Sequence, residues 1–332
     1  MKNLLRKLTF TLGAIGSLFN IATAETLSGK VIDAVTEQPI ENISVHSGDR
    51  ATYTDEQGDY EIETNQGIQR FRVSDNLTNY FNYDEQIDLT TDTLKNVWMI
   101  PIREVNVTQY AREHNLYSDF LSKFKLYTDS RAIDYNELIY QWTPLPIPVY
   151  YNEEQAFQVF EEVCARYPDH CPDEGADFLA QQYFEACDLA LQDWEQKSGV
   201  DLFQRVYENT EYGIKIDYSD NDSYVNGPVY IGEDPYFYLT FAKLNINNER
   251  YLLSNPDRLR REYIHELGHC LRFGHNIADK NDIMYPGVDA STISQNEADI
   301  VKIMYTLPNW TDMRNYNNTQ TRNAIQDWNL YE

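Results

Sequence analysis

The stretch HELGHCLRFGH, residues 265–275, holds three of the chain's six histidines. His265 and His269 are four residues apart, so on a helix they lie one turn apart on one face. Two imidazoles so placed hold a metal ion from one side. Glu266 is adjacent to the first and is set to reach a water on that metal rather than to bind it. His275 follows His269 by six residues, too far along a straight helix to converge. The chain must therefore turn, and Gly274 offers the flexible residue near the helix end. Three neutral imidazoles leave one zinc position open for water, the arrangement of a catalytic site rather than a closed structural one. Zinc lowers the pKa of that water, and Glu266 accepts its proton and later passes it to a leaving amine. This chemistry is peptide-bond hydrolysis without a covalent intermediate.

Working outward, Met284 lies nine residues beyond His275 in the segment NDIMYPG, residues 281–287. Further on, TISQNEADIVKIMYTLP (292–308) reads as a helix with a Ser294–Glu297 capping box. Upstream lie GPVYIGED (227–234) and FAKLNIN (241–247). Together these pieces resemble the metzincin zinc endopeptidases, closest to their matrixin-like branch, over residues 142–307. The resemblance implies one catalytic zinc held by His265, His269 and His275, with Met284 beneath it as a hydrophobic support. It also implies that substrate lies extended along an edge strand at Val229, Tyr230 and Ile231, as an added strand. Side-chain preference would be set by a pocket between the zinc helix and the Tyr285–Ser294 loop.

Two positions depart from the family pattern. Arg272 stands where relatives have glycine, and Tyr285 follows Met284 directly, which removes the spacing for an additional tyrosine ligand. We expect three protein ligands, with ordinary helical angles and an outward side chain at Arg272. The irregular turn is then expected at Phe273 or Gly274.

The first 24 residues read as a signal peptide cleaved after Ala24. Lys2, Arg6 and Lys7 precede a short apolar run, and Ala22-Thr23-Ala24 supplies small residues at the cleavage site. No later stretch has the length of a membrane span. The expected product is secreted or periplasmic, and removal of the leader takes its formal charge from −26 to −29. Such a surface repels phosphate backbones and excludes nucleic acid as a partner. The acidity allows calcium, but no D-x-D-x-D-G loop localises it. Oligomeric state is not legible.

Four cysteines in an exported chain pair into two disulfides with three connectivities. Cys164 and Cys171 flank a turn-forming Pro168-Asp169, which favours a local bridge. Cys187 falls on the face of a helix shared by Leu179, Tyr183, Ala190 and Trp194. A Cys187–Cys270 bridge would tie that helix to the histidine segment.

Residues 25–103 carry short alternating strands and resemble the carboxypeptidase regulatory-like, transthyretin-type β-sandwich, on Gly29, Asp33, Thr36, Pro39, Val45 and the Thr54–Tyr60 turn. Residues 104–141 read as a connector and 142–332 as the catalytic domain. The fold class expected is α+β of the zincin (metzincin) kind. It comprises a twisted, mostly parallel sheet with two long helices and a C-terminal helix, after a small antiparallel all-β sandwich. The function expected is a secreted zinc-dependent endopeptidase acting on proteins or peptides. The alternative is a surface-binding or adhesive protein with a vestigial zinc site, which would have no need of Glu266.

Overall fold

Alternation of apolar and polar residues builds the first strands. In Asp59–Asn65, Tyr60, Ile62 and Thr64 point inward while their neighbours face solvent. The computed structural model describes residues 24–77, 79–101, 138–219, 223–233, 236–247, 255–275, 280–286, 290–309 and 311–316. The expected signal peptide up to residue 23, and the connector over residues 102–137, lie outside the described residues.

The N-terminal part contains β1 (Ala24–Asp33), β2 (Ser44–Ser47), β3 (Arg50–Tyr53), β4 (Asp59–Asn65), β5 (Gly67–Ser74), β6 (Tyr83–Leu89), β7 (Thr93–Leu94) and β8 (Val97–Met99). One sheet runs β4-β1-β7 with β8 also paired to β1; the other runs β3-β2-β5-β6. Leu27, Val31, Phe71 and Val73 are fully buried in the core.

The remainder contains β9 (Ile147–Tyr151), α1 (Glu153–Arg166), α2 (Ala176–Ser198), β10 (Phe203–Val206), β11 (Gly213–Ser219), β12 (Tyr224–Glu233), β13 (Tyr236–Asn247), α3 (Pro256–Cys270) and α4 (Gln295–Thr306). Its sheet runs β10-β9-β11-β13-β12. A single turn, Met313–Tyr316, follows α4 and sets Tyr316 edge-on to Tyr83 of β6 at 5.3 Å.

The fold class expected from the sequence is corrected by these pairings. Among the described residues, thirteen strands form three sheets and carry four α-helices. Five strand pairings are parallel and five antiparallel, and the five-stranded sheet is itself mixed, with β12 antiparallel to β13 beside three parallel pairings, so the architecture as a whole is mixed and rich in β-structure. The N-terminal sheets are not wholly antiparallel either, because β1 pairs in parallel with β7 and β8. Helix α1 is a further long helix that the sequence reading did not contain. The physical reason is that alternation marks a strand but carries nothing about the direction of its partner. Connection length does: β12 and β13 are separated by two residues, and a link so short joins only antiparallel strands.

Helix α2 buries the face read from its spacing, with Leu179, Tyr183, Cys187, Ala190 and Trp194 inside. Trp194 Nε1 donates to the Ile264 carbonyl at 2.9 Å, and Trp142 Nε1 donates to the Cys270 carbonyl at 2.9 Å. Both indoles therefore spend their single donor on α3, the helix that carries the site.

Candidate metal centre

Asn255 caps α3 by accepting from the Arg258 N–H at 3.1 Å, with Pro256 in the first turn. The helix buries Leu259, Tyr263, Ile264 and Leu267, leaving His265 and His269 half-exposed on another face. The chain then turns and brings His275 back. Its Nε2 lies 3.2 Å from Nε2 of His265 and 3.2 Å from Nε2 of His269. All three ligand atoms fall within 4.8 Å of one another.

The outer nitrogens decide the tautomers. His265 Nδ1 donates to the Ile283 carbonyl at 2.8 Å, and His269 Nδ1 donates to the Phe273 carbonyl at 2.8 Å. A carbonyl only accepts, so both rings carry their proton on Nδ1 and present a bare Nε2 lone pair. Burial, together with the neighbouring His265, holds His275 below the usual histidine range and so favours its neutral, ligating form. Ligand nitrogens about 2.0–2.1 Å from a tetrahedral zinc stand about 3.3 Å apart, close to the spacing seen here. The donor set fits one such cation with an open coordination position.

The turn that returns His275 corrects the reading of Arg272. Arg272 has φ of 81°, whereas Gly274 is not among the residues with positive φ. The N–H of Phe273 donates to the Gly268 carbonyl at 2.9 Å and that of Arg272 to the His269 carbonyl at 3.0 Å. These two bonds are the Schellman ending, whose left-handed position falls on Arg272. The Arg272 side chain is 1% exposed, so it also does not point outward. A left-handed arginine costs on the order of 1–2 kcal/mol. Two satisfied helix-end carbonyls offset part of that strain.

Met284 is fully buried and lies against the helix at Gly268, where an added Cβ would come 2.3 Å from its Sδ. Only glycine permits this approach. Beneath the turn, Glu297 accepts from the backbone N–H of Met284 at 2.9 Å, of Ile283 at 3.2 Å and of Ser294 at 2.8 Å. The capping box foreseen at Ser294 and Glu297 is present. Sequence reasoning missed the rest of what Glu297 does, since nothing in the local pattern marks residues 283 and 284 as its partners.

Glu266 is 6% exposed, and one carboxylate oxygen, Oε2, is buried without a hydrogen-bond partner. Burial, with the charge of Glu262 added, pushes its carboxyl up to about 8. A cation at the adjacent nitrogens would favour the ionised form instead.

Of the remaining residues singled out, Cys164 and Cys171 form a disulfide with Cα atoms 4.9 Å apart. Cys187 and Cys270 are free and buried, which corrects the second bridge. The Tyr151 hydroxyl on β9 donates to Asp188, the neighbour of Cys187, at 2.6 Å. Val229, Tyr230 and Ile231 lie on β12, the last strand of its sheet, opposite Phe241, Leu239 and Tyr238. Tyr285 is half-buried, and its N–H donates to the Asp282 carbonyl at 3.1 Å. Among the described residues no helix is long and apolar enough to cross a membrane.

No family model matches this chain, and no curated protein matches it. Two solved structures align with parts of it. One is a candidate carbohydrate-binding protein from Bacteroides uniformis ATCC 8492, 15% identical, with a TM-score of 0.20 over 23% of this chain and 41% of that one. The other is a candidate membrane-associated protein of unknown function from Bacteroides fragilis NCTC 9343, 15% identical, with a TM-score of 0.21 over 53% of this chain and 51% of that one. The chain spans about half the length of these proteins or less. Likeness at this level carries no argument about fold or function.

Proposed function

We propose that this protein is an exported zinc-dependent endopeptidase. The observation that carries the reading is the convergence of three Nε2 atoms beside a buried carboxylate with an unpartnered oxygen. The sequence resemblance of residues 265–285 to the metzincin peptidases supports it at the level of the site alone.

His265, His269 and His275 would hold the metal, the first two locked in tautomer and orientation by the Ile283 and Phe273 carbonyls. When bound, zinc supplies Lewis acidity toward a water and a substrate carbonyl. Glu266 would orient a water through Oε2, hold its proton as general base, and deliver that proton to the departing nitrogen as general acid. Met284 packed closely on Gly268 would form the floor of the site. The peptide would lie along the backbone of β12 at Val229–Ile231, as an added strand.

Glu266→Ala tests the reading, because it removes the base and leaves the ligands. Zinc binding should persist while peptide hydrolysis falls by at least 100-fold. Equal turnover by both proteins would overturn it and favour the surface-binding alternative.

A further inference from the structure

The last four carbonyls of α3 take their donors from outside the helix. The N–H of Leu271 donates to Leu267 at 2.9 Å, that of Phe273 to Gly268 at 2.9 Å and that of Arg272 to His269 at 3.0 Å. The fourth carbonyl, of Cys270, receives a side chain instead: the indole N–H of Trp142, 128 residues earlier in the chain, at 2.9 Å. If α3 ran on, the N–H of Gly274 would take that carbonyl, and His275 would be carried about 9 Å along the axis beyond His269. The indole stands where that amide would have come.

The stop needs such a partner because the local sequence does not favour it. Leu271 and Arg272 are both good helix formers. Arg272 must also hold φ of 81°, which glycine enters freely and arginine resists. Water does not serve in place of the indole, since Trp142 is 1% exposed and Cys270 is fully buried. A carbonyl left unpaired there would destabilise the turn. The donor is also held in place before it is used. Gln141 Nε2 donates to the Leu307 carbonyl at 2.9 Å, and the N–H of Ile139 to the Thr311 carbonyl at 3.0 Å. The indole itself stands edge-on to Tyr212 at 5.7 Å.

We propose that Trp142 is a positioning residue of the metal centre: its indole N–H ends α3 at Cys270 and so fixes the turn that brings His275 onto His265 and His269. The proposal rests on the metal-centre reading and not on peptidase activity, so its readouts are metal affinity and coordination geometry. The full chain is compared with Trp142→Phe, Trp194→Phe, Arg272→Gly and the Trp142→Phe/Arg272→Gly double variant. Competition with a chromophoric chelator gives zinc affinity, and the visible bands of the cobalt(II)-loaded protein report coordination geometry.

Trp142→Phe keeps an aromatic ring and deletes the donor, so zinc affinity should fall roughly tenfold or more and the cobalt spectrum should change. Trp194→Phe deletes a donor to the same helix, but at the Ile264 carbonyl in its interior. It should lower stability by a similar amount and affinity by less than about threefold. Glycine at 272 holds the turn by its own backbone freedom, so in that background Trp142→Phe should cost less than about threefold in affinity. Equal losses in Trp142→Phe and Trp194→Phe overturn the assignment, as does a Trp142→Phe loss undiminished by Arg272→Gly. Unchanged affinity in a folded Trp142→Phe protein overturns it too. A wild-type chain that takes up no zinc overturns the metal-centre reading and this proposal with it, whereas zinc uptake without hydrolysis of any peptide removes the peptidase reading alone.

Discussion

The Nδ1–H of His269 donates at 2.8 Å to the carbonyl of Phe273, four residues further on. That carbonyl is in place because Arg272, just before it, takes a left-handed conformation and ends the helix. One backbone turn thus orients a ligand ring and starts the return of His275.

Arg272→Val should therefore weaken zinc binding by roughly 10- to 100-fold, the usual cost of losing an outer partner of a ligating histidine. A β-branched residue resists positive φ, whereas Arg272→Gly adopts it freely. The glycine variant should keep most of the affinity while losing stability through the missing buried side chain. Competition against a chromophoric chelator measures both. Equal losses in the two variants would detach the backbone conformation from metal binding.

Gly268→Ala places a methyl where Met284 Sδ now lies. The expected destabilisation is about 1–3 kcal/mol, read by denaturant unfolding. Adding Met284→Ala should recover part of it by making room. A double variant less stable than the sum of the two singles would refute the steric account.

Glu297 gives a dependence on pH. Burial and nearby Asp282 raise its carboxyl from 4.5 to about 7. Between those values the folded chain holds a proton that the unfolded chain has released, so the group's contribution to stability falls as pH rises through this window. The full effect is on the order of 3 kcal/mol. Unfolding free energy should drop more steeply from pH 5 to pH 8 in the wild type than in Glu297→Gln, both free of metal. Parallel curves would remove Glu297 as the cause.

Chelation of bound zinc should lower the melting temperature, since the ligand set exists only in the folded chain. His275→Ala should abolish most of that chelator response. Plasma emission on the purified protein should count about one zinc per chain, and none after the substitution.

Thiol labelling separates the four cysteines. Cys187 and Cys270 should react only after denaturation, because both are fully buried. Peptide mapping should recover Cys164 linked to Cys171. A Cys187–Cys270 crosslink in the native protein would contradict the two free thiols seen in the structure.

Features with short sequence reach were legible from the chain alone. The spacing of His265 and His269, the Asn255 and Ser294 caps, the buried face of α2 and the Cys164–Cys171 loop are all of this kind. Each involves residues that a helix repeat or a single turn brings together, so the pattern and the contact are nearly the same thing. Arg272 marks the boundary: its backbone conformation is local, whereas the burial of its side chain is a matter of tertiary packing. The even division of strand pairing, the hold of Glu297 on Ile283 and Met284, and the free thiols at Cys187 and Cys270 depend on segments far apart in the chain. Those contacts emerge only once the core has closed, because burial decides which distant groups must satisfy one another and alternation alone names no partner.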